Sequence, residues 1–296
     1  MTDYLLSVLL GIVEGVTEFL PVSSTAHLRV SQALLHVDLS DGYWKMYTVV
    51  IQLGAILSLP IYFRSRIARF LSTYPRGEGG DRGFMTHPFG LTAVAFVVTA
   101  VPSFLLTKVI GQHLESLEVM GWSLLAGGVV MWAVDALNAG AEAAAPGAPT
   151  RVRTRAVEDM SVAQAVWIGA CQVVSAVFPG TSRSMATIAG GQLAGMSRAA
   201  ALEFSFFLSM PTMAAATGYD LLKSVAGGEE NPIGVSQIDA HGWVVLAIGL
   251  VVSFAVAYAS VAWFMAWVRR RGFVPFAIYR IVAGVLVLLF ASRLAG

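Results

Sequence analysis

Two short polar stretches interrupt an otherwise apolar sequence, and they carry the side chains that could perform chemistry. In the first stretch, residues 11–27, the candidate groups are Glu14, Glu18, Ser23, Ser24, Thr25 and His27. In the second stretch, residues 169–187, they are Gly180, Thr181, Ser182, Arg183, Ser184 and Thr187. Ionised side chains are costly at membrane depth unless they pair with one another or with a ligand. We therefore expect the two stretches to meet in one site.

The two glutamates of the first stretch are four residues apart, which places both carboxylates on one face of a helix. Two carboxylates held close together in an apolar setting repel each other. A divalent cation, or a proton on one of them, removes that repulsion. We therefore predict Glu14 and Glu18 as cation ligands. The alternative is a pair of helix-end carboxylates in a water-filled vestibule.

Pro21 ends the first helix, and the hydroxyl cluster after it can cap the next one. Capping requires only one of the three hydroxyls of Ser23, Ser24 and Thr25. The other two are therefore candidates for binding a ligand. His27 follows Ser24 by three residues, so the two side chains share a helix face one turn apart, and we predict a functional role for His27.

The second stretch has the features of an anion cradle. Pro179 and Gly180 allow a tight turn, and Thr181 or Ser182 then begins a helix whose N-terminal N–H groups attract phosphate. Arg183 adds a planar, permanently charged fork that can bind phosphate oxygens through two hydrogen bonds. The alternative is an arginine that reaches the membrane surface. The apolar sequence on both sides of Arg183 argues against it.

The composition indicates a membrane protein. Of the 296 residues, 56% are hydrophobic and only 12% are charged, and the mean hydropathy is +0.71. A soluble domain is nearer to one quarter charged. The net charge of +1 provides no basic field for nucleic acid, so we expect no nucleic-acid partner. The single cysteine, Cys171, excludes an intramolecular disulfide framework.

The hydrophobic pattern predicts an all-α integral membrane protein, a polytopic helical bundle in which the two polar stretches are breaks in re-entrant helix pairs. The first half, residues 1–138, contains a re-entrant pair at 4–35 and spans at 43–63, 89–110 and 119–138. A linker at 139–159 follows. The second half, residues 160–296, contains a pair at 160–195 and spans at 198–222, 243–268 and 275–294. We expect the two halves to form one functional domain.

The order of segments is the same in both halves, which suggests an internal duplication. At an offset of 158 the aligned residues are Gly11 with Gly169, Glu14 with Gln172, Pro21 with Pro179, and Ser24 with Ser182. If each pair returns to the side from which it entered, three spans separate the pairs. The second repeat is then inverted relative to the first, an arrangement that is also typical of transporters.

The distribution of positive charge predicts the orientation. Loops 64–87, 139–159 and 269–274 lie on one side and carry 11 arginines, whereas the opposite side has 4 basic residues. The positive-inside rule places the arginine-rich side in the cytoplasm. The pair that carries both glutamates and His27 then enters from the outer side. We therefore predict a multi-pass protein of the bacterial cytoplasmic (inner) membrane with a site that opens outward.

The two stretches carry a resemblance to a known family. Residues 14–27 read Glu-Gly-Val-Thr-Glu-Phe-Leu-Pro-Val-Ser-Ser-Thr-Ala-His, and residues 179–187 read Pro-Gly-Thr-Ser-Arg-Ser-Met-Ala-Thr. Together they resemble the signature motifs of the bacterial undecaprenyl-pyrophosphate phosphatases of the bacitracin-resistance type. Residues 50–57, 203–206 and 275–280 also resemble the family, so the likeness covers essentially the whole chain.

The resemblance implies hydrolysis of the C55 prenyl pyrophosphate to the monophosphate and inorganic phosphate, which recycles the lipid carrier of cell-wall synthesis. It also implies a divalent cation, Mg or Ca. The catalytic residues that it implies are Glu14, Glu18, Ser24, His27 and Arg183. The expected phosphate-binding residues are Ser23, Thr25, Gly180, Thr181, Ser182, Arg183, Ser184 and Thr187.

Several alternatives stay open at this point. The nucleophile is Ser24, His27 or water, and Ser24 is favoured because His27 can meet it across one helix turn. The rival function is a transporter or flippase of an anionic prenyl lipid that binds at the same site without cleaving. The preferred cation, the prenyl chain length and self-association into a homodimer are not decided by the sequence.

Overall fold

The computed structural model describes residues 2–37, 41–106, 116–142, 151–226 and 238–294. These ranges contain eleven α-helices and one short 3-10 helix at Val157–Asp159. The α-helices are α1 Asp3–Thr17, α2 Ser24–Leu34, α3 Gly42–Tyr62, α4 Arg64–Thr73, α5 Pro88–Leu105, α6 Leu117–Glu142, α7 Val162–Val177, α8 Arg183–Leu193, α9 Arg198–Ala226, α10 Ala240–Arg271 and α11 Val274–Leu294.

Six of these helices are long and apolar enough to cross a membrane, and they are α3, α5, α6, α9, α10 and α11. The prediction of an all-α, polytopic membrane protein is therefore confirmed. Each predicted span coincides with one of the six to within a few residues at its described ends. Residues 107–110 of the predicted second span lie outside the described residues.

Two segments predicted as loop or linker are more ordered than the sequence suggested. Helix α4 lies inside the predicted loop 64–87 and buries Phe70, whereas Arg64 and Arg69 are exposed. Helix α6 continues to Glu142, four residues into the predicted linker. The last part of that linker packs against the bundle. Val152 and Val157 are buried there, and Thr154 forms a β-bridge to Met196.

The first helix of each short pair packs against a span of the other half of the chain. Helix α1 packs on α10, and α7 packs on α5. A Cβ on Gly11 would lie 3.1 Å from the Gly249 carbonyl oxygen in α10, and one on Gly169 would lie 2.6 Å from the Ala95 carbonyl oxygen in α5. Glycine permits this close approach of helix backbones in membranes. These two glycines are aligned in the sequence, so they occupy equivalent contacts. The inverted orientation of the halves stays a prediction.

The largest apolar cluster surrounds the breaks in both pairs. Phe19, Leu20 and Val22 from the first break pack in the same cluster as Met185 and Ile188 of α8. Aromatic rings of α9 and α10 complete it, with the Phe19 and Phe206 rings 5.7 Å apart in an edge-to-face contact. The polar breaks are therefore fixed by dense apolar packing on their flanks.

An ionic network at one end of the bundle joins α4, the linker and α9. The Arg66 guanidinium donates to both oxygens of Glu158, and its Nε donates to Glu203 at 2.7 Å. Burial opposes ionisation of Glu158, but the hydrogen bonds from Arg66 outweigh it, so the pKa of Glu158 is lowered from its ordinary value.

We predict that Glu158→Gln lowers the thermal stability of the detergent-solubilised protein at pH 7. A lowered pKa means that the carboxylate stabilises the fold above its ordinary pKa of 4.5, and that this contribution is lost as the pH falls below it. Because the pair is partly exposed, we expect a Tm decrease of roughly 2 °C at pH 7 that shrinks toward zero near pH 3.

The matched control is Glu78→Gln, since the Glu78 side chain is 68% exposed and lies 3.5 Å from Arg69. Its Tm should change less than that of Glu158→Gln. Equal effects of the two substitutions, or a Glu158→Gln effect that grows in acid, would contradict this role.

Candidate active site

A serine with an unusual backbone conformation precedes the second helix of each pair. Ser23 precedes α2 with φ 72°, and Ser182 precedes α8 with φ 69°. Each hydroxyl accepts a hydrogen bond at 3.4 Å from the backbone N–H three residues later. The left-handed conformation is strained for serine, and such strain is concentrated at functional sites. Ser23 and Ser182 are therefore structural equivalents, one residue away from the sequence alignment of Ser24 with Ser182.

The turn before α8 requires glycine at position 180. Gly180 has φ 90°, and a Cβ there would lie 2.6 Å from the Met120 carbonyl oxygen. Neither the conformation nor the space suits another residue. The turn is consequently held against the start of α6.

An ion pair joins the two breaks. The Arg183 guanidinium at the first position of α8 donates to Glu18 Oε1, and Ser24 Oγ donates to Glu18 Oε2. Glu18 is buried, whereas the Arg183 side chain keeps 28% of its surface exposed. Two groups separated by 165 residues are thus paired in the interior. The two polar stretches therefore meet in the folded chain, as we expected from the sequence.

Ser24 and His27 do not form the contact expected from their spacing. Ser24 donates to Glu18, whereas the His27 ring is bonded elsewhere, with Nδ1 2.7 Å from the Ser23 carbonyl oxygen and Nε2 2.6 Å from the Tyr279 hydroxyl. The hydroxyl and the imidazole therefore point to different partners although they share a helix. The group next to the Ser24 hydroxyl that could accept its proton is a carboxylate.

Glu14 is the least satisfied polar group of the site. It is fully buried, and neither carboxylate oxygen has a hydrogen-bond partner among the described residues. Glu18 caps the C-terminus of α1, and its backbone N–H donates to the Glu14 carbonyl at 2.9 Å, so the two glutamates keep their helical i, i+4 relation. A buried carboxylate without a partner calls for a proton or a cation.

The donor set fits a hard divalent cation only in part. Carboxylate oxygens suit Mg or Ca, but no cluster of three or more His, Cys, Asp or Glu side chains occurs in the described ranges. A cation held by Glu14 and Glu18 would need further oxygen ligands from water or from a bound phosphate. Such sharing is usual for magnesium at phosphate-binding sites.

The remaining predicted phosphate ligands differ in burial and in their existing partners. Ser184 and Thr187 are buried and already have protein partners, because Ser184 donates to the Leu20 carbonyl at 3.0 Å and Thr187 shares a hydrogen bond with Ser205 at 2.6 Å. Their hydrogen bonds to other protein groups stabilise the region of the two breaks. Thr25 is exposed at the start of α2, and Thr181 is buried within the turn.

The sequence analysis missed Arg280 as part of this region. Its guanidinium is fully buried and donates to the backbone carbonyls of Pro21 at 3.0 Å, Ser123 at 3.1 Å and Gly180 at 3.2 Å. One side chain thereby links both breaks to α6. Arg280 lies inside a predicted span, and an ionisable residue there is a functional candidate by default, so the signal was available.

Comparison with known proteins supplies the family. A family model described as "Bacitracin resistance protein BacA" matches residues 7–286. The chain belongs to the BacA family. This confirms the resemblance drawn from the two polar stretches, and the match extends over both halves of the chain.

Three relatives of this BacA family member have the same name. A protein of Koribacter versatilis is 62% identical over 295 residues, covering 99% of this chain and 100% of that protein. One from Sorangium cellulosum is 43% identical, covering 95% of this chain and 84% of its own. One from Thermus thermophilus is 40% identical, covering 97% of each chain. All three are named undecaprenyl-diphosphatase.

We predict that Gly127→Ala displaces Arg280 and disturbs both breaks. A Cβ on Gly127 in α6 would overlap the Arg280 guanidinium, which cannot move away without losing its carbonyl acceptors. We expect destabilisation by about 1–3 kcal/mol, as for overpacking in a core. Thermal unfolding in detergent measures this.

The matched control lies on the same helix. Gly140→Ala adds a methyl group where no atom lies within 4 Å, so it should leave the Tm unchanged or slightly higher. If Gly127→Ala were as stable as Gly140→Ala, the guanidinium would not be held as the structure describes.

Proposed function

We propose that this chain hydrolyses undecaprenyl pyrophosphate to undecaprenyl phosphate and inorganic phosphate, which returns the lipid carrier to cell-wall synthesis and underlies bacitracin resistance. Membership of the BacA family and the 62% identity to an undecaprenyl-diphosphatase over essentially the full chain support this function. The six apolar spans suit a substrate embedded in the membrane. The observation that carries the site assignment is the ion pair between buried Glu18 and partly exposed Arg183, which joins the two helix breaks.

The site binds the pyrophosphate through positive groups that converge from both pairs. Helices α2 and α8 both begin here, and the first-turn N–H groups that Ser23 and Ser182 do not cap can donate to phosphate oxygens. The Arg183 fork contributes two further donors once phosphate competes with Glu18. Positioning and neutralisation of charge are most of what phosphoryl transfer demands of a protein.

Ser24 is the nucleophile that the contacts favour. Its hydroxyl already donates to Glu18, which can accept the proton as Oγ attacks the terminal phosphorus. The bond from that phosphorus to the bridging oxygen breaks, and undecaprenyl phosphate leaves. Water then attacks the phosphoserine and releases inorganic phosphate. Direct attack by water is the alternative, and Ser24→Ala distinguishes the two because it stops only the first route.

Glu14 and Glu18 are the residues that would hold a divalent cation, Mg or Ca. When bound, the cation would neutralise charge on the pyrophosphate. The burial of Glu14 without any described hydrogen-bond partner supports this assignment. Glu18 would then have three roles, because its carboxylate also accepts the Ser24 proton and pairs with Arg183.

We further propose that the protein resides in the bacterial cytoplasmic membrane with the site open to the outer face, as the arginine distribution predicts. Self-association into a homodimer stays a prediction. A Ser24→Cys, Cys171→Ser variant should react with a membrane-impermeant thiol reagent in intact spheroplasts. Labelling only after the inner face is exposed would reverse the orientation.

The first prediction for activity concerns Arg183. Arg183→Ala should reduce phosphate release from undecaprenyl pyrophosphate by about 10²–10³-fold, since the main positive charge that contacts the phosphate is lost. Arg183→Lys should restore little, because an ammonium cannot reproduce the bidentate fork. Arg153→Ala, at an exposed arginine, is the matched control and should retain activity.

Undiminished turnover in either Arg183 variant would remove the phosphate-binding role. A wild-type protein that binds the lipid but releases no phosphate would instead favour the transporter alternative, because binding without cleavage is what that function requires.

The second prediction concerns the cation. EDTA should abolish phosphate release, and Mg or Ca should restore it. Glu14→Gln should raise the cation concentration needed for half-maximal activity at least about tenfold, because a charged ligand is lost. Glu118→Gln, at an exposed position in α6, should leave that concentration unchanged. Full turnover in the presence of chelator would mean that the glutamates act without a cation.

A further inference from the structure

Tyr279 is the one side chain from a membrane-spanning helix that is bonded to the His27 ring in the described structure. We infer that Tyr279 is a positioning residue for His27 in the proposed reaction. Its hydroxyl would fix the orientation of the imidazole ring. This inference rests on the proposed phosphatase function and adds a residue that neither polar stretch contains.

The hydrogen bonds determine which ring nitrogen carries the proton in neutral His27. A carbonyl oxygen can only accept, so Nδ1, 2.7 Å from the Ser23 carbonyl, must be the N–H donor. Nε2 is then the lone-pair nitrogen, and the Tyr279 hydroxyl 2.6 Å away must donate to it. The Ser23 carbonyl thus selects the tautomer, and the Tyr279 hydroxyl engages Nε2, the basic atom, and holds the ring in place.

The same contact also suits the charged imidazole. Because the Tyr279 hydroxyl occupies the Nε2 lone pair, Nε2 gains its proton from that hydroxyl, whose oxygen takes a proton from water in exchange, and Nε2–H then donates to the hydroxyl oxygen. The ring therefore does not need to move when a proton arrives or leaves. This is the behaviour required of a group that transfers a proton at a fixed place.

The position of Tyr279 is itself fixed by its neighbour. Arg280 anchors this turn of α11 to the carbonyls of Pro21 and Gly180, so the distance from Tyr279 to the helix breaks has little freedom. The Tyr279 and His27 rings lie nearly parallel, with a 14° angle between planes and centroids 5.6 Å apart. One segment of α11 thus sets both the spacing of the breaks and the orientation of the imidazole.

The test is Tyr279→Phe, which retains the ring and removes only the hydroxyl. We expect kcat for phosphate release from undecaprenyl pyrophosphate to fall about tenfold, a part of the usual contribution of general acid–base catalysis. KM should stay within about twofold, because among the described residues the hydroxyl bonds to His27 and to none of the predicted phosphate ligands. Tyr219→Phe, at an exposed tyrosine of α9, is the matched control and should have wild-type kcat.

A double-mutant cycle with His27→Ala separates positioning from a structural role. If Tyr279 acts through His27, Tyr279→Phe should cause no further loss of kcat in the His27→Ala background. A wild-type kcat in Tyr279→Phe, an undiminished effect in the His27→Ala background, or a rise in KM alone would each overturn the inference. Failure of the proposed function is distinguished by the wild-type protein, which would then release no phosphate at all.

Discussion

The Glu18–Arg183 ion pair is the interaction on which the arrangement of the site depends. Each partner lies at a helix break, and each is an ionised group that the membrane interior does not tolerate alone. Removing one partner leaves the other uncompensated, which is far more costly than the net gain from forming the pair. The pair therefore requires the two breaks to meet, and it fixes the position of one half of the chain relative to the other at this point.

The backbone carries a second constraint of the same kind. At a helix break, carbonyl groups lose their partners in a place where no bulk water replaces them. Arg280 supplies donors to Pro21 and Gly180, one carbonyl from each break, and Gly127 leaves room for the guanidinium. A buried cation thereby replaces missing backbone hydrogen bonds. It also contributes positive charge beside the site that we propose binds the pyrophosphate.

Hydrolysis and transport make different demands on such a site. A transporter must open its binding site to each side of the membrane in turn, so its helices move. The breaks here are held in place by apolar packing, by close glycine contacts and by the Arg280 hydrogen bonds. Ser24 donates to a carboxylate, as an attacking hydroxyl would. These features agree with the enzyme class of the relatives and provide rigid support for chemistry at one fixed place.

The sequence alone determined the fold class, the six spans and the family, because hydropathy sets span lengths and the polar stretches are too costly to occur by chance in a membrane. It identified Glu14, Glu18, Ser24, His27 and Arg183 as candidates by residue type and spacing. Spacing alone could not decide which groups bond to each other. Ser24 pairs with Glu18 across the break, and His27 pairs with Tyr279, 252 residues away in sequence. The contacts of Arg280 with both breaks also escaped the sequence analysis. Residues distant in the chain become partners only when the helices pack.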